Sequence, residues 1–132
     1  MLRVKTYLDR SSIQGIGVFA NEDIPCGTVV WEFNPAIDRQ ITSYEQLTLH
    51  MYGHELDKAY MKKYAYLDKQ TDRLILSGDN DRFTNHSNNP NTRPNDAGNM
   101  IAVRDIKINE EITANYYDID KFADEKLQLS LF

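Results

Sequence analysis

The chain has 132 residues, 41% hydrophobic and 27% charged, with a formal net charge of −5. That balance is ordinary for a soluble globular protein with one core, and the acidity argues against non-specific nucleic-acid binding, which needs Lys and Arg to neutralise phosphates. No apolar run approaches the ~20 residues of a membrane span, and Cys26, the one cysteine, excludes an intrachain disulfide and a cysteine-rich zinc cluster.

In chain order, Arg3, Lys5, Asp9 and Arg10 interrupt any signal-peptide core, so a cytoplasmic location is the simplest reading. Residues 4–8 alternate and predict a strand; residues 28–33, β-branched and aromatic, predict another. Between them lies Gly15-Ile16-Gly17, where glycine permits positive φ and close approach of backbone to a ligand. It lacks the third glycine and following helix of a dinucleotide fingerprint, and alone it reads as a hairpin turn. From 43 to 64, Tyr44, Leu47, Met51, Leu56, Ala59 and Tyr60 fall at helical spacings, with Ser43 and Gln46 as a capping box and a break near Gly53. His50 and His54, with Glu55, have the spacing of two metal ligands, but the H-E-x-x-H order is missing and Gly53 intervenes. Ordinary histidines are expected, and no metal.

A strand over 64–67, a turn at Thr71-Asp72 and a strand over 73–76 come next. Residues 78–94, rich in Asn, Asp, Ser and Pro, read as a long loop, and such loops inside a compact domain are usually functional. Strands over 100–103 and 111–115 enclose a turn at Asn109-Glu110. The tail from 118 to 132 predicts a short helix with Ile119, Phe122, Leu127, Leu129 and Leu131 as apolar contacts.

Two stretches are too polar and too specific in order to be core packing. They are Arg82-Phe83-Thr84-Asn85-His86-Ser87, followed by Pro90-Asn91, and Glu110-Glu111-Ile112-Thr113-Ala114-Asn115-Tyr116. Together with Gly15-Ile16-Gly17 they resemble the SET-domain family of protein-lysine methyltransferases, over about residues 4–117. The resemblance implies a mainly β fold with short helices, a β-clip-like SET architecture of several small sheets with a threaded segment holding Asn85-His86-Ser87. It also implies one domain over 1–132, a core over 4–117 and a lid over 118–132.

The same resemblance implies methyl transfer from S-adenosylmethionine to lysines of a basic, histone-like protein, with Tyr116 catalytic. Gly15, Ile16, Gly17, Arg82, Asn85 and His86 would bind the cofactor: Asn85 at its amino-acid end, the His86 backbone at its adenine edge. Arg82 reads equally as a contact to the cofactor carboxylate or as a structural ion pair. Tyr64 and Tyr66 would wall the lysine channel; on one strand only one can face it, and Tyr64 is preferred. Ala114 stands where many members carry an aromatic, leaving room for higher methylation states. Asn88 replaces the zinc-ligating Cys of many members, so a lid is needed from Tyr117, Phe122 and the apolar tail, or from a second subunit in a homodimer. Asn109 replaces a Gly and Asn115 an Asp. No nucleic-acid or membrane partner is expected. A catalytically silent SET-like module that binds a partner through the same groove is the rival reading.

Overall fold

The computed structural model describes residues 1–130, and side chains through 128. Gly15, at φ +49, turns the chain from β1 (Thr6–Arg10) into β2 (Ile16–Ala20), which pair antiparallel with Arg10 opposite Ile16. β3 (Val29–Trp31) and β4 (Arg39–Ile41) lead to two helices, α1 (Ser43–Tyr52) and α2 (Glu55–Tyr64). Then come β5 (Tyr66–Leu67), β6 (Leu74–Leu76), a 3-10 turn (Asn80–Phe83), β7 (Asn85–His86), β8 (Thr92–Pro94), β9 (Met100–Ala102) and β10 (Glu111–Ala114). Two short helices, α3 (Tyr116–Ile119) and α4 (Ala123–Ser130), close the described chain. None is long and apolar enough to cross a membrane.

Three small sheets result, ordered β1-β2-β10-β7, β3-β9-β8 and β4-β6-β5. Strands this short have few ladder bonds, so the core holds them: Val18, Ala20, Ile24, Val30, Ala102, Ile106 and Ile112 form one buried cluster. Trp31, Ile75, Met100 and Ala114 form a second.

The segment expected to be a loop, 78–94, contains the 3-10 turn, β7 and β8. Asn91 and Thr92 in it are buried clamps, while Asn88, Asn89 and Arg93 stay exposed. β7 runs parallel to β10, Asn85 opposite Thr113. After a bend the chain returns to β10: the Asn91 Oδ1 accepts from the Thr113 N–H at 2.8 Å, and its Nδ2 donates to the Glu111 carbonyl at 2.8 Å. The Thr92 hydroxyl donates to the Thr113 carbonyl at 2.6 Å. Asn91 and Thr92 are fully buried, so satisfied side-chain bonds replace apolar contacts in threading this segment past β10.

Other expectations shift. The capping box is Thr42 with Glu45, one residue before Ser43 and Gln46; the Thr42 hydroxyl accepts from the Glu45 N–H at 3.1 Å. The helix break near Gly53 is as expected, and His54 caps α2, its Nδ1 accepting from the Leu56 N–H at 3.0 Å. Tyr64 ends α2 instead of starting a strand, because the helical pattern runs through it to Ala65. Asn109 sits at φ 72, the left-handed conformation a turn Asn tolerates. Leu131 lies outside the described residues, as does the side chain of Leu129.

Candidate active site

The Gly15 turn is held from behind. The Asn85 Nδ2 donates to the carbonyls of Gln14 (3.1 Å) and Ile16 (3.2 Å) and to Glu111 Oε2 (2.9 Å). Ser11 donates its hydroxyl to Glu111 Oε1 at 2.7 Å, closing the clamp. A Cβ on Gly17 would stand 2.4 Å from Glu111 Oε2 and 3.2 Å from Asn85 Nδ2, so glycine is required there by this clamp. At Gly15 a Cβ would meet nothing within 4 Å: that face of the turn opens into a cleft.

His86 orders the far end of β10. Its Nδ1 accepts from the Tyr116 N–H at 3.1 Å, which puts the ring proton on Nε2, where it donates to Asn88 Oδ1 at 2.9 Å. The ring lies 5.3 Å from that of Tyr116. Asn115 caps α3 through the Tyr117 N–H, so the chain turns sharply after β10 and Tyr116 points inward. The Tyr116 hydroxyl donates to the Thr84 carbonyl at 2.6 Å.

Two hollows meet at Tyr116. The outer cleft, about 560 Å³, is lined by Gln14, Gly15, Ile16, Arg82, Phe83 and Asn85. A narrow inner cavity, about 80 Å³, is lined by Tyr64, Tyr66, Asp81, Ala114 and Asp120. Lys63, Tyr64, Arg82, Thr84, Tyr116 and Lys126 line both. Tyr64 and Tyr66 are therefore not alternatives on one strand: Tyr64 comes from the end of α2 and Tyr66 from β5, and both line the inner cavity. Gly17 and His86 stand behind the walls. Arg82 binds the Ser77 carbonyl at 2.8 Å and the Tyr60 hydroxyl, and among the described residues it forms no ion pair. Tyr117 and Phe122 line neither hollow; Tyr117 is exposed and bonds Asp124 at 2.9 Å, and Phe122 borders a separate groove between α1, α2 and α4.

Lys126 of α4 was not marked by any motif. Its Nζ binds Asp120 Oδ2 at 2.5 Å and the Ala65 carbonyl, and lies 5.9 Å over the Tyr66 ring. Burial lowers its pKa, partly offset by Asp120. Burial also raises the Tyr116 phenol well above the usual range, and the carboxylates of Asp81, Asp120 and Glu111 push the same way. The phenol therefore keeps its proton, given to Thr84, and turns only acceptor lone pairs toward the cavity. Asp81 was also missed, and only its adjacency to Arg82 could have flagged it; Asn91 and Glu111 stand within the motifs, but no clamp role was expected of them. Among the described residues no group of His, Cys, Asp and Glu could hold a metal.

The SET domain model matches residues 15–117. The histone-lysine N-methyltransferase trr of Drosophila melanogaster is 36% identical over 92 residues, 67% of this chain and 4% of that protein. The Chaetomium thermophilum Polycomb Repressive Complex 2, autoinhibited and bound to S-adenosylmethionine, is similar with TM-score 0.61 and 25% identity over 96% of this chain and 17% of that one. A humanized mutant of the complex bound to an inhibitor gives 0.60 at 22% identity, over 92% of this chain and 16% of that one, a likeness of fold. The chain thus spans a small fraction of these relatives. The family match runs from the Gly15 turn through the threaded segment to Tyr117, the parts that build the two hollows, and this chain belongs to the SET-domain family.

Proposed function

We propose that this chain is a protein-lysine methyltransferase that uses S-adenosylmethionine. The observation that carries the reading is the junction at Tyr116, where a wide cleft meets a narrow aromatic cavity. The residues suit the cofactor. The outer cleft falls in the few-hundred-Å³ range of small-molecule sites, the Gly15 turn leaves an open cradle, and Lys62, Lys63 and Arg82 offer cations for a carboxylate. When bound, S-adenosylmethionine supplies an electrophilic methyl group on a sulfonium.

This chain's residues do the rest by positioning. The Asn85–Glu111 clamp fixes the turn that receives the cofactor. Tyr64 and Tyr66 wall the acceptor's methylene stem and exclude water, and such desolvation disfavours the inert ammonium form. The Tyr116 oxygen, its own proton given to Thr84, accepts an N–H of the target amine and aims its lone pair toward the outer cleft. Lys126, lining both hollows from α4, supports reading the segment after 117 as a lid within one chain.

A basic, histone-like segment is the proposed substrate class. The net charge of −5 favours it, and the Drosophila relative is named a histone-lysine methyltransferase. The test is incubation with labelled S-adenosylmethionine and a histone mixture or cell extract, with mass spectrometry locating the label. Label on lysines is expected; cofactor binding without any labelled lysine would favour the silent binding module.

A further inference from the structure

Asp81 belongs to no motif that built the site, yet it faces the inner cavity beside Tyr64, Tyr66 and Tyr116. Its carboxylate is held by two neutral donors, the Ser77 hydroxyl on Oδ2 at 3.0 Å and the Thr84 hydroxyl on Oδ1 at 3.2 Å. Among the described residues no ion pair includes it, whereas Asp120 on the same cavity is paired with Lys126. Thr84 joins Asp81 to Tyr116: its hydroxyl binds the one and its carbonyl takes the proton of the other. A desolvated carboxylate with two hydroxyl partners keeps lone pairs and a negative charge for a cation to satisfy. Three aromatic rings around that charge make a wall suited to an alkylammonium.

We infer that Asp81 is a substrate-binding residue that docks the acceptor lysine in its charged form, before the loss of a proton that transfer requires, taking one N–H while the Tyr116 oxygen takes another. This rests on the methyltransferase reading of the same cavity. Each methyl group added to the amine removes an N–H donor, so Asp81 favours the least methylated acceptors.

Several charged groups share its surroundings. Asp79 caps its turn and Arg82 follows it; α2 contributes Lys63 and Tyr64, β5 contributes Tyr66, and Asp68 stands just after β5. Tyr116 comes from α3, Asp120 from the cap that ends it and Lys126 from α4, and the chain's amino group acts from farther off. Burial raises the Asp81 carboxyl to about 6, and Asp79 adds to the rise. A bound ammonium opposes both and should bring it down.

The test uses n-butylammonium chloride at constant ionic strength, with no methyl donor present. The Asp81 carboxyl carbon, assigned by its loss in Asp81→Asn, is followed by NMR across pH. Its titration midpoint should fall by about one unit at saturating butylammonium, and Asp81→Asn should bind that cation at least about tenfold more weakly. S-adenosylmethionine binding in the variant should be unchanged. An unmoved midpoint, or equal butylammonium affinity in the variant, overturns the inference; if the variant does not fold, the wild-type titration, assigned by sequential backbone correlations, decides. Because no donor is present, this outcome is separate from the labelling experiment, whose failure alone would remove the methyltransferase reading.

Discussion

Around β10 the polar side chains that meet the thread are committed to hydrogen bonds, whereas the α1–α2 hairpin leaves most of its apolar side chains in solvent. Asn91, Thr92 and Thr113 are buried and bonded to one another's backbone, and Asn85, Glu111 and Ser11 form a second closed set. Neither α1 nor α2 buries a residue; Tyr52 is 80% exposed, Tyr44 78% and Leu56 73%. The hairpin touches the site through the second half of α2, where Tyr64 packs 4.8 Å from Tyr60 and 5.9 Å from Phe83. Geometry at the cavity junction is thus fixed by hydrogen bonds across the thread, and the hairpin carries little of that load.

Removing Asn91 should break the contrast most severely. Asn91→Ala strands the Thr113 N–H and the Glu111 carbonyl in the interior, so chemical denaturation should show a loss of about 3–5 kcal/mol, much of a small domain's stability. Asn85→Ala frees the Gly15 turn while Glu111 keeps Ser11; stability should fall by about 1–2 kcal/mol, and calorimetry should show S-adenosylmethionine binding about tenfold weaker or worse. Unchanged affinity would remove Asn85 from the site.

At Asp81 the site opposes the fold. Its folded pKa, about 6, lies above the ordinary carboxylate value, so the folded state binds the proton more tightly than the unfolded chain. Its charged form therefore lowers stability above pH about 6, and the penalty vanishes as pH falls below about 4. Asp81→Asn should melt higher than wild type near pH 8, by the equivalent of about 1–3 kcal/mol, with the difference fading toward pH 4. The smallest effect belongs to the hairpin: Leu47→Ser or Tyr52→Ser should change stability by no more than about 0.5 kcal/mol.

The family's turn and motif residues were legible because each carries a chemical demand that order alone reveals: glycine at a positive φ, Asn85-His86, and Tyr116 after β10. Sequence also marked the helix break at Gly53 and the left-handed Asn109. What misled was local pattern whose meaning is set by packing. A run of Asn, Ser and Pro reads as solvated loop unless its partners on β10 are known, and period-2 alternation assigned Tyr64 and Tyr66 to one strand when a helix ends between them. Glu111 and Asn91 work only across the thread, and a single-sequence pattern carries no trace of that long-range pairing.

In the proposed mechanism the Tyr116 oxygen orients the acceptor amine at the junction of the two hollows. Tyr116→Phe keeps the ring against His86 and deletes that oxygen, so methyl transfer to a lysine peptide, S-adenosylmethionine affinity and thermal melting should be measured together. Transfer should fall by about tenfold to a thousandfold, with affinity unchanged and stability lowered by no more than the one bond to Thr84, about 1 kcal/mol. Equal turnover in the variant, with a normal melting curve, would contradict that mechanism.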